Sequence, residues 1–175
     1  MTFFIDMDGV LVRYERHAYR GSNPKWRQPG FHYYRNAPAD SSAIELLRML
    51  NSYYQTYILS KVKEGPLYRE HCEDKYNWLV DNIPFMRRDR VIFTPLSKEN
   101  CIRELWGVSL IPHDFALIDD YNNNLKAWRE AGGLSIKYIS KVNTASSWDG
   151  YYVRSSLIRD DMQRIFNTIA NGRMF

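Results

Sequence analysis

Two short apolar stretches of the chain each run directly into a pair of carboxylates. The first, FFI, is followed by Asp6 and Asp8, and the second, FALI, is followed by Asp119 and Asp120. A buried acid is costly unless it is paired or bound to a metal. Acids at the ends of two buried strands are therefore either solvated where the strands end or delivered to a site that binds a cation or reacts.

An alternation of strands and helices would bring these acids together. Five apolar, β-prone runs predict strands at 2–6, 56–60, 90–94, 115–120 and 134–139. With helices between them, they predict a Rossmann-like α/β domain formed by the whole chain, with a five-stranded, mainly parallel sheet. Sites form at the carboxyl ends of parallel strands. The two acidic pairs and Ser60, which ends the second strand, should therefore meet at one edge.

The helix signals fit this pattern. They predict four helices: AIELLRMLN after Asp40, a helix between Pro66 and Pro84, NNLKAWREA before Gly132, and a tail from about 155 to 170. Residues 13–38 differ, because they are polar, aromatic and rich in Gly and Pro. A loop of this length inside a compact domain is usually functional.

The acidic pairs suit phosphoryl transfer with Mg²⁺. Hard oxygen ligands are those that Mg²⁺ prefers, together with substrate phosphate and water. An aspartate can attack phosphorus and form an aspartyl-phosphate. A second carboxylate two residues on can protonate the leaving oxygen and then activate water. Positive charge and hydrogen-bond donors complete such a site, and Ser60 and Lys98 can supply them.

The overall composition limits the partners and the compartment. The net charge of +4 is mildly basic, which suits an anionic substrate and neither requires nor excludes nucleic acid. Cys72 and Cys101 form no disulfide or metal-binding pattern, so a reducing, cytoplasmic location is expected. The first apolar stretch contains acids and is too short for a signal peptide or a membrane span.

Four segments resemble, in order, the motifs of the haloacid dehalogenase (HAD) superfamily. They are DMDGVL, YILSK, Lys98 and LIDDYNNN, and they extend over most of the chain. The resemblance implies that Asp6 is a nucleophile. It implies that Asp8 is the acid/base and binds the metal through its backbone carbonyl.

The same resemblance implies roles for the remaining motif residues. Ser60 and Lys98 would hold the phosphoryl oxygens. Asp119 and Asp120 would form the acidic pair of a Mg²⁺ site, with Asp120 as the direct ligand. Asn124 stands where many members have a further Asp, and an Asn there is expected to tune the site through hydrogen bonds.

The sequence is also similar to the 5'(3')-deoxyribonucleotidase branch, in the stretch before YILSK, in EDKYNWLVDNI and in LIDDYNNN. This implies a phosphatase acting on a small metabolite, a nucleoside monophosphate. That branch carries a helical cap, but only 53 residues separate Asp6 from Ser60 here. The cap is therefore expected to be reduced to residues 13–38.

Several side chains, Asn124 among them, are candidates for substrate contacts. In the insertion, Trp26, Tyr33 and Tyr34 can stack on a base, or they can pack the insertion onto the core. Lys61 follows Ser60 and can reach substrate, or it can be exposed without a role.

Two alternatives to a nucleotidase remain open from the sequence. An open site can accept a larger phosphoester, such as a nucleic-acid end or a phosphoprotein. A module without catalysis can bind phosphate or a partner at the same edge. Retention of both Asp6 and Asp8 argues against the second alternative, because a binding module has no use for an acid/base.

Overall fold

A parallel β-sheet forms the centre of the protein. The computed structural model describes residues 1–13, 32–141 and 147–171. The strands in these ranges are β1 (Thr2–Ile5), β2 (Gln55–Lys61), β3 (Val91–Thr94), β4 (Phe115–Asp119), β5 (Leu134–Ile139) and β6 (Tyr151–Arg154). All neighbours pair in parallel, in the order β3-β2-β1-β4-β5-β6. The predicted α/β class with a parallel sheet is confirmed.

Helices cover the sheet and connect its strands. They are α1 (Ser41–Tyr53), α2 (Tyr68–Asn82), α3 (Lys98–Trp106), α4 (Asn122–Glu130) and α5 (Ile158–Ala170). The side chain of Asp40 caps α1 by accepting bonds from the backbone amides of Ser42 and Ala43. Helix α3 is absent from the sequence prediction. Among the helices of the described ranges, none combines the length and the hydrophobicity of a membrane span.

The strand β1 shows why both faces of the sheet carry helices. All four of its residues are buried, and successive side chains of a strand point to opposite faces. Phe3 belongs to the larger apolar cluster, with residues of α1, α2 and α5. Phe4 belongs to the second cluster, with residues of α3 and α4. The central position of β1 therefore places its carboxyl end in the middle of the sheet edge.

The prediction of five strands is wrong by one. Strand β6 pairs with β5, from Ile136 opposite Tyr151 to Ile139 opposite Arg154. It is a four-residue edge strand in which buried and half-buried positions alternate. Such a short segment gives little periodic signal, so the sequence indicates only the helix that follows it. That helix, α5, begins at Ile158 rather than near residue 155.

The stems of the predicted insertion, residues 13–38, are fixed beside the end of β1. Val12 bridges to Ala39, the Arg13 amide donates to the Pro38 carbonyl at 2.9 Å, and the Asp40 amide donates to the Leu11 carbonyl at 2.8 Å. The chain re-enters the described part before a 3-10 turn, Tyr33–Asn36. The middle of the insertion, with Trp26, lies outside the described residues.

Candidate active site

The loop after β1 orients the first acidic pair. The Asp6 amide continues the sheet by donating to the Ile118 carbonyl at 2.9 Å. The chain then turns tightly, because the Val12 amide donates to the Met7 carbonyl and the Gly9 amide donates to the Val12 carbonyl, both at 2.8 Å. Gly9 has a φ of 82°, a left-handed conformation that side chains disfavour. This turn directs Asp6 into the sheet edge and leaves Asp8 beside the insertion.

Lys98 joins the nucleophile candidate to the second acidic pair. It is the first residue of α3, its side chain is 2 % exposed, and its Nζ lies 2.7 Å from Asp6 Oδ1 and 2.6 Å from Asp119 Oδ2. Burial alone lowers the pKa of the Lys98 ammonium, but the two carboxylates outweigh burial, so this pKa lies above its usual value. The structure thus brings together Asp6, Lys98 and Asp119.

Asp119 is fully engaged by hydrogen-bond donors. Its Oδ1 accepts from the Tyr121 amide at 2.8 Å, and its Oδ2 accepts from Lys98 and from Asn124 Nδ2 at 2.9 Å. Asn124 was expected to tune the site, and its side chain lies against Asp119. Through these contacts, Asp119 fixes the loop after β4.

Three carboxylates converge closely enough to share a cation. Asp6, Asp119 and Asp120 each offer an oxygen within 4.8 Å of the others. Burial raises the pKa of Asp6 to about 8, because the charge of Lys98 is countered by the neighbouring carboxylates. In the described part of the chain, two ammoniums, those of Lys98 and Lys137, interact with these three carboxylates, so the cations do not balance the acids. The oxygen donor set and the excess negative charge fit Mg²⁺.

Lys137, which the sequence analysis overlooked, fixes the loop that carries Asp120. Its side chain is buried within β5, and Nζ donates to the Asp120 carbonyl at 2.9 Å and to Asn122 Oδ1 at 2.5 Å. Burial lowers the pKa of Lys137. No pattern in the sequence distinguishes it, because a lysine inside a strand usually reads as a solvent-facing residue.

Asp8 stands apart from this acidic group, on the side of the insertion. Tyr34 Oη donates to Asp8 Oδ1 at 2.5 Å, and Lys75 Nζ donates to Asp8 Oδ2. Lys75 Nζ also donates to Ser60 Oγ at 2.7 Å. The sequence analysis missed Lys75, because it lies in the middle of α2 and not beside a strand end in the sequence. The one available signal was that Lys75 shares a helix face with the apolar residues Trp78 and Leu79.

A cavity of about 490 Å³ opens beside Asp8. Its walls include three of the predicted substrate-contacting residues, Tyr33, Tyr34 and Lys61. The other described lining residues are Asp8, Val62, Lys63, Glu64, His71, Asp74, Lys75 and Pro95. Asn124 does not line it. A concave space of this size with a few polar groups is typical of a small-molecule site.

Comparisons with known proteins agree with the motifs. No family model matches the chain. A curated protein of Staphylococcus epidermidis (strain ATCC 12228), provisionally named 5'(3')-deoxyribonucleotidase, is 29 % identical over 143 residues, which cover 82 % of this chain and 66 % of that relative. A solved HAD family hydrolase from Deinococcus radiodurans R1, with bound phosphate and sodium, has a TM-score of 0.61 at 14 % identity, covering 97 % of this chain and 96 % of that chain. This chain has the haloacid dehalogenase fold.

A second HAD structure completes the comparison. It is a mutant of a HAD family enzyme from Bacteroides thetaiotaomicron in complex with magnesium and inorganic phosphate, with a TM-score of 0.50 at 16 % identity, covering 85 % of this chain and 96 % of that chain. The predicted resemblance to the HAD superfamily is confirmed. The matched part of the chain spans just under two thirds of the length of the curated relative.

Proposed function

We propose that this HAD-fold protein is a Mg²⁺-dependent phosphomonoester hydrolase that works through an aspartyl-phosphate at Asp6. The observation that carries the proposal is that an acidic cluster and a cavity lie at one sheet edge. Asp6 contacts Lys98, and carboxylate oxygens of Asp6, Asp119 and Asp120 lie within 4.8 Å of one another. Asp8 lines the cavity. A nucleophile, a cation site and an acid/base next to space for a leaving group are the parts that this reaction needs.

In the first chemical step, a carboxylate oxygen of Asp6 attacks phosphorus and the ester P–O bond breaks. Asp8 gives its proton to the leaving alkoxide. In the second step, Asp8, now ionised, takes a proton from water, and the resulting hydroxide attacks phosphorus. The bond between Asp6 and phosphorus breaks, inorganic phosphate leaves, and Asp6 is regenerated as a carboxylate.

Lys98 and Ser60 stabilise the phosphoryl group in this scheme. Lys98 offsets the charge of Asp6 and presents its ammonium at the place where phosphoryl charge accumulates. Ser60 is fully buried near the end of β2 and accepts a hydrogen bond from Lys75, so its own proton is available for a phosphoryl oxygen.

Mg²⁺ would be held by Asp6 and Asp120, together with the Asp8 backbone carbonyl that the resemblance implies. Asp119 contributes mainly by orientation, because its two oxygens already accept three bonds. When bound, Mg²⁺ supplies charge neutralisation at the phosphoryl oxygens. The magnesium and phosphate of the Bacteroides thetaiotaomicron enzyme support this choice of cation.

The substrate that we favour is a nucleoside or deoxynucleoside monophosphate. The support is the cavity beside Asp8, with its tyrosine wall, and the provisional name of the Staphylococcus epidermidis relative. Tyr33 and Tyr34 line the cavity while most of each side chain is buried in the apolar core, and Lys61 also lines it. We also propose that residues 13–38 act as a reduced cap. Because Cys72 and Cys101 are free thiols, we further propose that the protein works in a reducing cytoplasm.

A substrate panel tests the proposal. Purified protein is assayed for phosphate release, with Mg²⁺ or with a chelator, on nucleoside monophosphates, 5'- and 3'-phosphorylated oligonucleotides, a phosphopeptide and an aryl phosphate. We expect Mg²⁺-dependent turnover that is fastest on nucleoside monophosphates. Faster turnover on an oligonucleotide or a phosphopeptide would replace the substrate class. Absence of turnover on every compound would leave a phosphate-binding module as the function.

A further inference from the structure

Both carboxylate oxygens of Asp8 are occupied by donors from other parts of the chain. Tyr34 Oη holds Oδ1 from the insertion side, and Lys75 Nζ holds Oδ2 from α2. The Lys75 ammonium also lies 5.0 Å from the centre of the Tyr34 ring. The side chain of Asp8 is 19 % exposed, so its remaining access is from the cavity. Asp8 is therefore fixed in direction while it still faces the space for substrate.

Lys75 has the features of a functional lysine more than those of a structural one. Its side chain is 3 % exposed, and its ammonium contacts Asp8, Ser60 Oγ and, at 3.4 Å, the Lys61 carbonyl. All three acceptors belong to the candidate site. A buried ion pair contributes little net stability, because desolvation offsets the attraction between the charges. Stability alone is thus a poor reason for a lysine at this position.

The helix that carries Lys75 also positions the Tyr34 turn. Asp74 Oδ1 lies 2.8 Å from His32 Nδ1, and Trp78 Nε1 donates to the Ala37 carbonyl at 2.8 Å. These contacts lie on either side of Tyr34 along the chain. One surface of α2 therefore supplies the Lys75 donor directly and delivers the Tyr34 donor through the insertion stem.

We propose that Lys75 and Tyr34 are positioning residues that together hold Asp8 for proton transfer to the leaving oxygen and, in the second step, from the attacking water. The proposal rests on the proposed function, in which Asp8 is the acid/base. Lys75 Nζ also donates to Ser60 Oγ, and we expect the loss of this contact to matter less than the loss of the contact with Asp8.

Leaving-group dependence tests this role. An alkyl phosphate needs protonation of its leaving oxygen, whereas a nitrophenyl phosphate does not. In Lys75→Met, we expect kcat on a nucleoside monophosphate to fall by about 10²-fold, at the low end of acid–base contributions, with little change in KM. The pre-steady-state burst of nitrophenol should stay within a few-fold of the wild type. Tyr34→Phe should show the same pattern more weakly, because it removes a neutral donor.

Arg69→Met is the matched control, since Arg69 is an exposed cation on the same helix. It should leave both substrates unaffected. Equal losses of Lys75→Met on the alkyl substrate and in the nitrophenol burst would contradict the proposal, because they would indicate a general defect in phosphate binding or folding. A rise in KM without a fall in kcat would contradict it as well.

A measurement without turnover separates this proposal from the proposed function. In ¹⁵N-lysine-labelled protein, the buried Lys75 ammonium should give a slowly exchanging signal, assigned by its absence in Lys75→Met. Asp8→Asn should shift or remove this signal, and Arg69→Met should not. An unchanged signal in Asp8→Asn would overturn the contact itself. If the wild type hydrolyses no phosphate ester, the proposed function fails, and this signal alone decides whether Lys75 holds Asp8.

Discussion

Two buried lysines at the same sheet edge have different carboxylate partners. Lys98 and Lys75 are 2 % and 3 % exposed, and each ammonium contacts groups from two separate strands or loops. Lys98 lies between two carboxylates, Asp6 and Asp119, in the part of the site suited to a cation. Lys75 contacts one carboxylate, Asp8, at the wall of the cavity. In the proposed function, the Lys98 contacts thus belong to the cation site and the Lys75 contact belongs to the acid/base.

Replacing each lysine should therefore lower the free energy of unfolding by a different amount, and this is the largest effect we predict. Lys98→Met leaves Asp6 and Asp119 buried without a cation, which should cost about 3–5 kcal/mol of unfolding free energy. Lys75→Met should cost about 1–2 kcal/mol, because Asp8 is partly solvated and keeps Tyr34. Urea unfolding of both variants measures the difference. Added Mg²⁺ should stabilise the wild type and both variants, and Lys98→Met the most, because its acids lack their ammonium. Equal losses in the two variants would remove the distinction.

The two acids of the second pair should also separate. Asp120→Asn should weaken Mg²⁺ binding by about 10-fold or more and lower turnover by about 10²-fold, because it removes a direct ligand. Asp119→Asn should weaken Mg²⁺ binding less than Asp120→Asn does, since Asp119 accepts bonds from Lys98 and the Tyr121 amide. It should still lower turnover. Titration calorimetry with MgCl₂ gives the affinities. Weaker Mg²⁺ binding in Asp119→Asn than in Asp120→Asn would exchange the two roles.

Asp161, a carboxylate outside the candidate site, serves as a reference, and its replacement should have the smallest effect of those we predict. Asp161 accepts bonds from the Arg154 amide at 2.9 Å and from the Arg154 guanidinium at 2.8 and 2.6 Å. Burial raises the pKa of Asp161, but the bonds from Arg154 outweigh burial, so this pKa lies below its usual value. Its contribution to stability is present above the pKa of an unfolded aspartate, about 4, and is lost as the pH falls through the lower folded value.

Asp161→Asn should therefore destabilise the protein by about 1–2 kcal/mol at neutral pH, with a smaller difference near pH 3. Its kcat and KM should match the wild type, because the contact ties β6 to α5 and touches no site residue. Thermal unfolding across pH, with the assay at neutral pH, measures both. A stability difference that grows on acidification would contradict the assigned sign.

The sequence was sufficient for the residues of the candidate site that lie at strand ends. Asp6, Ser60 and Asp119 could be located because an apolar run points each of them at the same edge of a parallel sheet. Lys98 could be found because it completes a motif in order, although its helix was not predicted. The remaining strand, β6, has four residues and lies at the edge of the sheet, where periodicity is weak.

The remaining contacts of the candidate site depend on how helices and loops pack on the sheet, which a sequence pattern does not reveal. Whether Lys75 reaches Asp8 is decided by the rotation of α2 against the sheet, and Tyr34 reaches it only because Asp74 and Trp78 hold its turn. Lys137 points into the protein because the loop after β4 needs its donor. Such residues are selected by tertiary contacts across tens of positions along the chain.

The proposed mechanism requires that Asp6 becomes phosphorylated, and chemical trapping would detect this intermediate. The protein is mixed with Mg²⁺ and a nucleoside monophosphate, quenched, and reduced with borohydride, which converts an aspartyl-phosphate into homoserine. Mass spectrometry should find homoserine at position 6, dependent on substrate and absent from Asp6→Asn, while Asp81→Asn, a change of an exposed acid on α2, behaves as the wild type. Turnover with an unmodified Asp6, or homoserine at another aspartate, would contradict the account.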